Sequence, residues 1–162
     1  MDITKVRTIA GKLEQLTGQN IKIVVENSIK PDAYLHPMGY IVITSGLMRF
    51  FEDDAEMVFI IGHEWAHVIK GHYKDEQDIL GISKNISNPD KLKADKLKKE
   101  MDADAYGLGV MKALGYDSAA SLKVLAKLRQ VMGQNGMEGY SSIEERMNIL
   151  NGLLNYSGGQ NK

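Results

Sequence analysis

The run Met57–Gly62 carries no charge and leads directly into His63-Glu64-Trp65-Ala66-His67. Just ahead of it, Asp53-Asp54-Ala55-Glu56 has the acidic residue and the glutamate three positions on that open a helix with a capping box. The stretch therefore predicts a helix from Asp53 to about Tyr73, apolar enough to be buried, with polar chemistry placed inside the core. Residues four apart on a helix are offset by ~40° and rise ~6 Å, so His63 and His67 project from one face and can converge on a single ion. Glu64 sits one step round, where a carboxylate can reach a water on that ion without binding the ion itself. With four histidines in 162 residues, chance supplies about 0.006 such His-Glu-x-x-His matches. That figure, together with three histidines falling between positions 63 and 72, favours a metal site over coincidence.

Two imidazoles are too few for a catalytic zinc, which takes three protein ligands and leaves one position open. The chain has no cysteine, so disulfides and thiolate sites are excluded and the third ligand must be His, Asp or Glu. Glu100-Met101-Asp102-Ala103-Asp104 offers two carboxylates four apart. One can bind metal while the other accepts the second ring N–H of a histidine ligand and fixes its tautomer. Ala103 and Gly107 are small enough to let this helix approach the first. His72 would lie about 140° round from His67 on a regular helix and so is expected behind the ligands or in a structural role. His36 reads as a hairpin side chain.

The rest of the chain reads as an α+β fold, a small N-terminal β-sheet with a hairpin packed on a mainly helical core. Helical spacing covers residues 3–17. Strands are expected at 21–26, 33–36 and 40–44, with a turn at Pro37-Met38-Gly39. Helices are expected at 100–114, 117–132 and from Ser141 towards Leu154, with a polar, interrupted stretch at 73–99 that ends in a lysine-rich helical run. One domain is expected over 1–156, with a disordered tail at 157–162. A net charge of −1 argues against a nucleic-acid partner. No apolar run approaches the ~20 residues of a membrane span. A soluble chain is expected, cytoplasmic if complete and otherwise the excised soluble domain of an exported or anchored protein. The pattern fixes no oligomeric state.

These motifs together resemble the gluzincin metallopeptidases that include the HtpX heat-shock proteases and the CAAX prenyl proteases. His63-Glu64-Trp65-Ala66-His67 is similar to the family's zinc helix, and Glu100 to Gly107 to its Glu-x-x-Ala-Asp helix. Leu114-Gly115-Tyr116-Asp117 is similar to the turn that follows, and Ala33 to Leu47 to the hairpin that precedes. The resemblance spans roughly residues 20–150. It implies a zincin-like core, one zinc ion held by His63, His67 and Glu100, Asp104 behind His63 or His67, and hydrolysis of peptide bonds with Glu64 as general base. A peptide or unfolded protein would be the substrate, and the membrane helices of better-known members are missing. The family's His-Pro ahead of Glu-Arg is replaced by Tyr140-Ser141 ahead of Glu145-Arg146. Tyr140 is therefore the expected oxyanion donor, with Arg146 as a second candidate or an anchor. Substrate backbone is expected to add to an edge strand at Tyr40, Ile41, Val42 and Ile43. The alternative is a zinc-stabilised binding module of the same fold without turnover.

Overall fold

The structure is a computed structural model, and it describes residues 1–51, 53–72, 89–132 and 143–158. Helix α1 (Ile3–Thr17) opens where the Asp2 side chain accepts the Lys5 N–H and ends where Gly18 turns left-handed at φ 67°. Its Val6, Ile9, Ala10 and Leu13 face the core at helical spacing. Three short strands follow, β1 (Ile23–Glu26), β2 (Ala33–His36) and β3 (Tyr40–Thr44). The β2–β3 hairpin turns on Pro37 and closes with the Gly39 N–H on the His36 carbonyl at 2.8 Å, Gly39 supplying φ 81°.

The sheet order is β1-β3-β2, with β1 parallel and β2 antiparallel to β3. This corrects one expectation. Tyr40, Ile41, Val42 and Ile43 lie on the central strand, paired with β2 from His36↔Tyr40 to Ala33↔Ile43, while β1 takes the other side from Ile41 onwards. Their hydrogen-bonding groups are committed to the sheet, so β3 offers no edge to a substrate. The buried β-branched run Ile41-Val42-Ile43 is what a strand covered on both faces requires.

Thr44 caps the short α2 (Ser45–Phe50), and Asp53 caps α3 (Asp54–Ile69) by accepting from the Ala55 N–H. Glu56 does not complete a capping box: its buried carboxylate meets Lys127 at 2.7 Å. Helix α3 is buried nearly all round and is the axis of the molecule, with Met57, Phe59 and Ile61 among the most enclosed side chains. It stops at Ile69, short of the expected Tyr73, because Gly71 takes φ 68°.

The lysine-rich run and the Glu-x-x-Ala-Asp segment form one 25-residue helix, α4 (Pro89–Ala113). It lies against α3 where Gly62 and Gly107 meet. A Cβ built on Gly107 would stand 3.0 Å from the Phe59 carbonyl oxygen and 3.2 Å from the His63 nitrogen. Two further helices, α5 (Ala120–Met132) and α6 (Ile143–Gly158), close the core with Val124, Leu125 and Leu150. Helix α6 runs two residues into the expected tail, and 159–162 lie outside the described residues. The architecture is α+β, mainly helical with a small sheet on the N-terminal side. Among the described residues no helix is long and apolar enough to cross a membrane.

Candidate metal centre

Helices α3 and α4 supply the site from facing surfaces. His63 and His67 turn their Nε2 atoms towards each other at 3.2 Å. Glu100 approaches both, Oε2 at 3.5 Å from His63 Nε2 and Oε1 at 3.5 Å from His67 Nε2. Ligands on a tetrahedral zinc at 2.0–2.1 Å stand roughly 3.3–3.4 Å from one another. The triangle of two imidazole nitrogens and a carboxylate thus has the right size and the right donor chemistry for zinc, and the fit is good.

Asp104 stands on the other side of His63, its Oδ1 accepting the Nδ1–H at 2.9 Å. The two carboxylates of α4 are therefore separated by geometry, Glu100 on the Nε2 side of both rings and Asp104 behind one of them. Arg146 reaches in from α6 and ties both down. Its Nε and Nη2 donate to Asp104 at 2.8 and 2.7 Å, and its Nη1 donates to Glu100 Oε2 at 2.8 Å. A planar guanidinium that engages two carboxylates in this way is an anchor of fixed geometry. Behind His67, the Nδ1 atoms of His67 and His72 lie 2.9 Å apart.

The titration behaviour follows from these neighbours. Burial works against a charge on His63, but the carboxylates of Asp104 and Glu100 outweigh it and raise the ring to about 10. Burial and the charge on His63 hold His67 down to about 3. Burial also opposes ionisation of Glu100 and Asp104, yet hydrogen bonds from His63 and Arg146 keep both below the usual carboxylate range. Glu64 behaves differently. Burial dominates there and pushes it up to about 7.

A family model described as Peptidase family M48 matches residues 4–87, just over half of the chain. The chain belongs to peptidase family M48. The matched span contains α3 with its two histidines and stops before α4, so Glu100, Asp104 and Arg146 join the site on geometry. A curated relative of this M48 chain is the mitochondrial metalloendopeptidase OMA1 of Arabidopsis thaliana, 29% identical over 139 residues, covering 73% of this chain and 28% of that protein. The chain thus spans little more than a quarter of that relative's length.

Of the residues singled out in the sequence, His63, Glu64, His67, Glu100, Asp104 and Arg146 come together. Tyr140 lies outside the described residues. Sequence reasoning offered Arg146 as an anchor without naming the two carboxylates it grips, and it missed that the edge strands among the described residues are β1 and β2. A cleft of about 490 Å3 between α1, the end of α3 and α4 is lined by Leu16, Ile69 and Tyr106, and none of the site side chains opens onto it.

Proposed function

We propose that this chain is a zinc-dependent endopeptidase with one catalytic ion on His63, His67 and Glu100 and with Glu64 as general base. The observation that carries the reading is the ligand triangle with 3.2 and 3.5 Å edges, beside a carboxyl raised to about 7 by burial. When bound, zinc supplies a Lewis acid that polarises the scissile carbonyl and makes water nucleophilic near neutral pH.

The residues of the chain do the rest. Asp104 holds the Nδ1–H of His63 and so keeps the Nε2 lone pair turned inward. Glu64 takes the proton from the attacking water and passes it to the leaving amine, a task suited to a carboxyl that titrates close to neutrality. Arg146 fixes the two carboxylates of α4 and has the role of anchor, since its donors are spent on them. Tyr140 remains the proposed donor to the oxyanion. A peptide or unfolded segment extends along the free edge of β2, Ala33 to His36, which packs against α3. We read residues 1–156 as one catalytic domain, nearest in motif to the HtpX and CAAX prenyl proteases.

The test is hydrolysis of an unfolded protein by the purified chain, with and without chelator, alongside metal analysis. One zinc per chain with chelator-sensitive cleavage supports the reading. Cleavage that survives complete removal of metal overturns it.

A further inference from the structure

His67 and His63 have their outer ring nitrogens held in different ways. His63 donates to a carboxylate, whereas His67 meets a second imidazole, His72, at 2.9 Å between Nδ1 atoms, with ring centroids 5.0 Å apart and planes at 68°. On a continued helix His72 would point elsewhere, about 140° round. It reaches His67 because α3 ends at Ile69, the Lys70 N–H closes on the Ala66 carbonyl, and Gly71 at φ 68° turns the chain back. Two facing ring nitrogens form a hydrogen bond only if one carries a proton and the other a lone pair.

Which carries the proton is set by the site. His67 Nε2 faces His63 Nε2 and Glu100, where a metal ligand must present a lone pair. Its remaining proton then belongs on Nδ1, and His72 Nδ1 must accept it. We propose, resting on the zinc reading above, that His72 is a positioning residue for the metal, its Nδ1 accepting the His67 Nδ1–H and locking that ring in the ligand tautomer. His72 then carries its own proton on Nε2. The two histidine ligands are thereby oriented by partners of unlike charge, an anionic Asp104 and a neutral imidazole.

The experiment compares the full chain with His72→Phe and His72→Asn, measuring zinc dissociation constants by chelator competition and metal-free melting temperatures. Phenylalanine keeps the ring and removes the acceptor, and zinc affinity should fall about 10-fold or more, as for other partners of metal-binding histidines. The asparagine side-chain oxygen stands close to where Nδ1 stood, and should restore affinity to within about threefold of the parent. Ring nitrogen NMR of the zinc-loaded parent should show His72 as the Nε2–H tautomer. Unchanged affinity in His72→Phe, or equal weakening in both variants, overturns the proposal. So does a His72 ring protonated on Nδ1, a result that holds even if the phenylalanine variant does not fold. A parent chain that binds no zinc sinks the metallopeptidase reading itself, an outcome distinct from the others.

Discussion

Glu64 and Glu100 lie close to the same point but in opposite surroundings. Glu100 is held ionised by His63 and Arg146, while Glu64 has no hydrogen-bond partner among the described residues and burial raises it to about 7. Environments that push two carboxyls apart fit the roles proposed for them, a permanent anion at the metal and a titratable one in proton transfer. Glu64→Gln should accordingly keep zinc and fold while losing nearly all hydrolysis, since an amide cannot accept the proton. Metal analysis and turnover measured on the same sample check this, and an active variant would move the base elsewhere. Asp104 and Glu100 separate by a different measurement. Asp104→Asn should weaken zinc binding roughly 10–100-fold, through loss of the acceptor behind His63, and Glu100→Ala should weaken it further. The reverse order of dissociation constants would exchange their roles.

The proposed ligands come from two helices, so the distance between α3 and α4 sets the size of the triangle. That distance rests on glycine. Gly107→Ala would place a methyl 3.0 Å from the Phe59 backbone oxygen, which cannot swing aside as a side chain can. The helices must part, at a cost of about 1–3 kcal/mol and with weaker zinc binding. Gly109→Ala, two positions on and with open space around its Cβ, should be neutral or stabilise by up to ~1 kcal/mol. Equal melting temperatures and equal zinc affinities for the two variants would remove the close approach from the argument. Much at this scale was legible in advance. The i, i+4 pairs His63/His67 and Glu100/Asp104 follow from helical period alone, and the small residues facing α3 pointed to close packing. What was not legible depended on contacts remote in sequence or on single backbone angles. Arg146 meets Asp104 across 42 positions, which no spacing rule links. The end of α3 at Ile69 turns on one glycine at φ 68°. Strand β3 is central because β1 pairs with it in parallel, past the intervening β2, a pairing remote in sequence.

Across the whole molecule, three elements contribute charges that must balance in a water-poor centre. Without metal, Glu100 and Asp104 are anions, Arg146 is a cation, and His63, raised to about 10, carries the second positive charge, while Glu64 is largely protonated at pH 6. On the proposed reading, zinc would bring two positive charges to the same place, need the Nε2 lone pair of His63 and favour ionised Glu64. Binding should therefore release protons, two near pH 6 and closer to one near pH 9, where Glu64 is already ionised. Zinc affinity should rise with pH over this range. The sign for stability follows from the same group. The unfolded His63 loses its proton near 6.5 and the folded one near 10, so the metal-free fold binds the extra proton between those values and its stability falls as pH rises through them. The zinc-loaded fold has no such proton to lose. Melting temperatures of chelated protein should decline from pH 7 to 9, and those of zinc-loaded protein should decline much less. His63→Gln should flatten the chelated curve. Calorimetry in buffers of different ionisation enthalpy counts the protons directly. Zinc binding that releases none, or a chelated protein whose stability is level from pH 7 to 9, would mean that the centre does not exchange protons for metal.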